Sequence, residues 1–152
     1  ALSTSFISTR QFIGNTNRIY VTEYKTESIK PIEPKEIDTD ILTALIYVES
    51  RGLDSAYNSS EDAVGCLQIR PIMVREVNRI LRKTEKEERF EMKDRWDRDK
   101  SIEMFHIWRE YHHPNSDDEV IARNWNGGPD GYTQNSTLNY WKKVKGRLEI
   151  ES

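Results

Sequence analysis

The stretch "ALIYVESRGLDSAYNSSEDAVGCLQIRP", Ala44 to Pro71, opens as an amphipathic helix and then breaks its own pattern. Steps of +3, +4 and +7 from Leu42 reach Leu45, Ile46 and Glu49, which therefore share one helical face. A carboxylate on that stripe is at least partly shielded from water, and desolvation disfavours its charged form. Glu49 also falls in the last turn, where the helix dipole is negative and opposes an anion. Both effects raise its pKa, and a carboxylic acid that keeps its proton near neutral pH is what general acid catalysis needs. Taken alone, the helix leaves a second reading open: Glu49 is the frayed end of the stripe and turns out to solvent, as glutamates usually do.

The rest of the chain reads as further helices around this one. The first helix starts near Asp38 or Thr39, either of which can N-cap it, and Gly52 stands as its C′ residue. A second follows Pro71, with Ile72, Val74, Val77, Ile80 and Leu81 on its inner side. A third runs through "WDRDKSIEMFHIWREYHH", Trp96 to His113, where Ile102, Phe105 and Trp108 lie three apart and Met104 adds to the apolar face. A fourth, "DDEVIARNW", carries acids at its start that suit the dipole and stops at the turn signal "NGGPDG". The last, "STLNYWKKVKGRL", opens on Ser136 as a cap and buries some of Leu138, Trp141, Val144 and Leu148. Ahead of these, residues 1–30 lack helical periodicity and read as an extended N-terminal arm or linker, with "RIYVTEY" as a short strand. "KPIEPKEIDTD" then leads into the first helix. The expected architecture is a mainly α domain over residues 31–152.

Composition narrows the function. A chain of 152 residues fits one domain, and four Trp, seven Tyr and four Phe can supply its core. A formal net charge of −3 gives no general attraction to nucleic acid. The interleaved charges of "VREVNRILRKTEKEERFEMKDRWDRDK" read as solvated helical surface. No apolar run is long enough to span a membrane. A single cysteine, Cys66, permits no intramolecular disulfide and, lying in an apolar run, reads as packing rather than as a nucleophile. His106, His112 and His113 lack an HExxH pattern or a cysteine cluster, so neither a metal nor a cofactor is expected. The chain begins at Ala1 rather than Met, so a processed form is expected, with any signal peptide out of view.

Four short motifs give Glu49 its company. They are Glu49–Ser50; "AVGCLQIRP", whose Gly65 lies 65 − 49 = 16 positions on; "RNWNGGPDG" from Arg123 to Gly131; and Thr137-x-x-Tyr140-x-x-x-Val144. In this order they resemble the motifs of the lytic transglycosylase and goose-type lysozyme family, over roughly residues 38 to 146. The chain departs from that pattern at Cys66–Leu67, at Trp125 in place of a tyrosine, and at Arg70, where some goose-type lysozymes carry an aspartate.

The resemblance implies a lysozyme-like fold and cleavage of the β-1,4 bond between N-acetylmuramic acid and N-acetylglucosamine in peptidoglycan. Glu49 would be the general acid and base, and a transglycosylase would need no second carboxylate because the muramyl 6-hydroxyl is the nucleophile. A hydrolytic muramidase would need one, for which Asp54, Glu61 and Asp62 are the nearby candidates. By the same resemblance Ser50 would orient Glu49 or a sugar substituent, and Gln68 would hydrogen-bond along the cleft. Asn126 would reach the sugar, and Tyr140 would contact the acid or the N-acetyl group. Trp125 would stack on a sugar or, as sequence alone favours, fill the core. The partner would be peptidoglycan glycan strands, met in the cell envelope or periplasm, outside the cell, or by a phage particle or lysis protein. A module of a different class, a catalytically silent glycan-binding or structural piece of a phage particle, is the remaining alternative.

Overall fold

The computed structural model describes residues 39–151, with side chains for 41–150. The arm expected over residues 1–30 and the boundary at 31 lie outside the described residues. Among the described residues there are five α-helices: α1 (Thr39–Ser50), α2 (Pro71–Lys83), α3 (Arg98–His112), α4 (Asp118–Gly127) and α5 (Leu138–Glu151). A two-stranded antiparallel hairpin, β1 (Tyr57–Asn58) and β2 (Ala63–Val64), sits between α1 and α2, with Tyr57 opposite Val64.

The α1 stripe folds as its spacing requires. Ile41, Leu42, Ala44 and Leu45 are buried, and Ile46 and Val48 pack at the edge of the same core. Its end follows expectation: Gly52 (φ 83°) takes the left-handed C′ position, and Arg51 (φ 59°), the residue between it and the helix, is left-handed as well. That conformation costs a non-glycine residue roughly 1–2 kcal/mol.

Pro71 opens α2, where its fixed φ suits the first turn, and Val74, Val77, Ile80 and Leu81 face the core. Ile72, expected inside, is 62% exposed. At about 100° per residue it lies roughly 200° around the helix from Val74, on another side. The acids at the start of α3 and α4 act as caps: Asp97 accepts from the Lys100 N–H, and Asp117 from the Val120 N–H, both at 3.0 Å. Ser136 does not cap α5. It lies within a 3₁₀ turn, Asn135–Thr137, and its hydroxyl meets Gln134 Oε1 at 3.4 Å. Of the apolar residues expected on α5, Val144 is in the core, Trp141 and Leu148 are partly buried, and Leu138 is exposed.

Phe105 of α3 sits at the centre of the core, edge-on to Trp125 of α4 with ring centroids 5.3 Å apart. α1 packs on α5 and α4, and α2 on α3.

One expected surface residue is in fact internal. Arg95, within the interleaved charges, is buried and donates to the carbonyls of Asp62 (2.7 Å), Met92 (3.0 Å) and Ile69 (3.2 Å). It thereby ties the segment after β1 to the 3₁₀ turn Met92–Trp96. The approach is so close that a Cβ on Gly65 (φ 79°) would stand 2.1 Å from the Arg95 carbonyl oxygen. Only glycine serves there.

Candidate active site

Glu49 is partly buried and accepts a 2.6 Å hydrogen bond from the Tyr140 hydroxyl. Burial raises its pKa from the ordinary 4.5 to about 7. The Tyr140 hydrogen bond, the charge of Arg70 and the Trp125 indole N–H pull it down, while the charge of Glu61 adds to the rise. Desolvation wins, so near neutral pH the acid is held about half protonated. Tyr140 is raised well above its ordinary range by its own burial and by the neighbouring carboxyl, which keeps its hydroxyl a donor.

Glu49 opens into a cavity of about 930 Å³, a size suited to a ligand with several rings. Gln68, Arg70, Trp125 and Asn126 line it, with Glu61 and Asn58 from the hairpin region. Tyr140 stands behind Glu49 and reaches the site through it. Glu49 is therefore no frayed end: its helix stops where the cavity starts.

The Gly65–Gln68 turn is built tightly. Val64 and Ile69 exchange two backbone hydrogen bonds across it (3.2 and 2.9 Å), and Gln68 takes a left-handed φ of 48°. Its amide nitrogen donates to the carbonyls of Gly65 (3.0 Å) and Ala56 (3.2 Å), which leaves the amide oxygen as the group available to a ligand. Trp125 fills the core and also borders the cavity. It is 7% exposed, edge-on to Phe105 and Trp108, and still forms part of the cavity wall. Asn126 is exposed at the cavity, and its carbonyl accepts a long 3.5 Å contact from Arg70.

Ser50 is placed differently from expectation. Its buried hydroxyl donates to the Cys66 carbonyl at 2.8 Å and accepts from the Gly52 N–H at 3.1 Å. It clamps the end of α1 to the Gly65–Gln68 turn and meets neither Glu49 nor the cavity. Two of the three candidate second carboxylates are likewise committed elsewhere. Asp54 pairs with Arg98 at 2.9 Å and Asp62 with Arg95 at 3.5 Å, and neither lines the cavity. Glu61 does.

The far wall of the cavity was not expected. Glu76 accepts from Arg79 at 2.6 and 2.7 Å and meets His112 at 2.7 Å, so the guanidinium, helped by the imidazole, holds its carboxyl down at about 2. Glu76 and Arg79 lie in the charge-interleaved tract, three apart on α2, where a solvated i,i+3 pair is the ordinary reading. His113 packs on Trp108 with ring centroids 4.8 Å apart, and burial lowers its pKa. Among the described residues no group of three His, Cys, Asp or Glu side chains is placed to hold a metal ion. Cys66 is buried, and desolvation pushes its thiol up, away from the thiolate that a nucleophile requires.

The fourth motif is partly scaffold. Buried Thr137 accepts from Arg123 Nε at 2.9 Å and sits 2.7 Å from the Gly131 carbonyl, fixing the turn between α4 and α5 that carries Tyr140 into place.

A mainly helical domain with a partly buried carboxylic acid at the edge of a sugar-sized cleft is lysozyme-like in architecture. The chain matches the family described as Transglycosylase SLT domain over residues 27–142, and it belongs to that family. This is a family of lytic transglycosylases, whose substrate is peptidoglycan. No curated protein and no solved structure gives a match. Among the described residues no helix is long and apolar enough to cross a membrane.

Proposed function

We propose that the protein cleaves the β-1,4 bond between N-acetylmuramic acid and N-acetylglucosamine as a lytic transglycosylase, with Glu49 as sole general acid and base. The observation that carries this reading is the Glu49–Tyr140 pair at the cavity edge, with burial raising the carboxyl to about 7. Because Oε1 accepts from Tyr140, Oε2 is the oxygen left to carry the proton to the substrate. That proton passes to O4 of the leaving N-acetylglucosamine as the C1–O4 bond breaks and C1 becomes oxocarbenium-like. The muramyl O6 then bonds to C1 and gives its proton to Glu49, which restores the acid and leaves a 1,6-anhydro sugar with no water consumed. Gln68 and Asn126 supply hydrogen bonds to the glycan, and the exposed edge of Trp125 gives it an apolar surface. Acting on that polymer, the protein works in the envelope, outside the cell, or in a phage particle or lysis system.

One observation favours a second reading, hydrolysis by a muramidase: Glu61 lines the same cavity. An inverting hydrolase would need it about 6.5–9.5 Å from Glu49 with a water between. A silent binding module gains nothing from a shielded acid held by a tyrosine. Mass spectrometry of digested peptidoglycan separates the three. Muropeptides ending in 1,6-anhydro-N-acetylmuramic acid support transglycosylation, reducing ends one water heavier support Glu61 as base, and an undigested wall supports a binder.

A further inference from the structure

The cavity walls differ in how their charges are balanced. At the far wall the charges are closed on one another, since both nitrogens of the Arg79 fork that face Glu76 are engaged and His112 adds a third contact. Arg70 is different. It lines the cavity, yet among the described residues it has no carboxylate within ion-pair distance, and its hydrogen bond to the Asn126 carbonyl is at the 3.5 Å limit.

Its position adds to this. Arg70 is the N-cap residue of α2, but its side chain does not cap the helix, and the first turn holds no acid. A serine or aspartate would be the ordinary choice at that place, because its oxygen satisfies the free N–H groups of the first turn. The arginine instead projects a second positive element beside the positive end of a helix. A partly buried guanidinium with an open fork is suited to a planar oxyanion. Arg70 is also near enough to Glu49 for its charge to act on that carboxyl, so its ligand lies within reach of the cleaved bond.

Resting on the transglycosylase reading above, we propose that Arg70 is a specificity-determining residue that binds a carboxylate carried by the muramyl sugar. In the alternating glycan, N-acetylglucosamine is neutral, and the 3-O-lactyl group of N-acetylmuramic acid provides the carboxyl function. That function is free in glycan stripped of peptide and is replaced by the carboxylates of the stem where peptide is attached. A cation beside Glu49 therefore sets the strand's register, placing a muramyl unit rather than its neighbour where C1 is attacked.

The test measures binding without turnover, in the Glu49→Gln protein with and without Arg70→Gln. The probes are peptide-bearing glycan, glycan stripped of peptide, and stripped glycan whose lactyl carboxyl has been reduced to the alcohol. Arg70→Gln is expected to weaken binding about tenfold, as the loss of a charge-assisted pair does. The loss should fall on stripped glycan if the lactyl carboxylate is the ligand, or on peptide-bearing glycan alone if the stem supplies it. The carboxyl-reduced glycan should bind both proteins equally. Arg70→Lys should recover part of the loss. An equal loss on all three probes, or no loss on any, overturns the assignment while leaving the transglycosylase reading intact. Failure of the Glu49→Gln protein to bind any muramyl glycan, together with no cleavage by wild type, overturns both.

Discussion

Tyr140 donates to Glu49 Oε1 at 2.6 Å across a sequence separation of 91 residues, joining the last turn of α1 to the first turn of α5. The bond favours the carboxylate anion, so it opposes the burial that raises the acid. It also fixes which oxygen faces the cleft. Tyr140→Phe removes both effects. Glu49 should titrate higher, moving the alkaline limb of the rate profile to higher pH. Turnover at the optimum should fall about fivefold, the worth of roughly 1 kcal/mol of positioning. A pH–rate profile of the variant checks both, and an unshifted limb with full turnover would remove Tyr140 from the mechanism.

Wild-type activity should decline as pH rises through about 7, because the protonated form of Glu49 is the working one and its folded pKa lies there. The initial rate of turbidity loss from purified cell walls, followed between pH 4 and 9, reads this directly. A rate still climbing above pH 8 would show that Glu49 does not act as a protonated acid.

The same raised pKa has a consequence for stability. In unfolded chain Glu49 titrates near 4.5 and in the fold near 7, so between these values the folded state holds a proton that the unfolded state lacks. Stability from this group is present below about 4.5 and lost as pH rises through 7. The interval of 7 − 4.5 corresponds to about 3 kcal/mol at most. Glu49→Gln keeps the acceptor for Tyr140 and has no proton to lose. Its stability relative to wild type should therefore rise between pH 4 and 8. Urea unfolding at the two pH values measures the difference, and a constant offset would mean that Glu49 is solvated.

Glu61 is the group that separates the two chemistries. If the muramyl hydroxyl is the nucleophile, Glu61→Gln should cost less than about tenfold in turnover, below the usual worth of a general base. It should also move the alkaline limb to lower pH, since the charge of Glu61 raises Glu49. Loss of nearly all activity, with reducing ends in the wild-type digest, would make Glu61 the base of a hydrolase.

Much of this site is legible in the sequence because helical spacing places residues on faces. Leu42, Leu45 and Ile46 lead to Glu49 by period alone, and Pro71 and the acids that open α4 mark helix starts. The far wall is not legible in the same way. Periodicity tells which face of α2 is apolar, but Glu76 and Arg79 sit among charges that any solvated helix carries. Their place in the cavity depends on α3 bringing His112 across 36 residues. Arg95 hides for the same reason: a buried arginine that bonds only to carbonyls and one aspartate reads as surface until the loop closes over it. Ser50 is legible as part of a motif but not in its role, since a hydroxyl beside an acid in sequence can point to either side of the helix end. Here it points to Cys66.

The most direct measurement is the turnover of Glu49→Gln on purified peptidoglycan, made on protein whose circular dichroism and unfolding midpoint show it to be folded. Gln is close to isosteric with Glu and cannot deliver a proton. A single-acid mechanism predicts a loss of at least about 10² in rate, the lower end of what general acid–base catalysis supplies. Turnover within a few-fold of wild type would contradict the assignment of Glu49 as the acid.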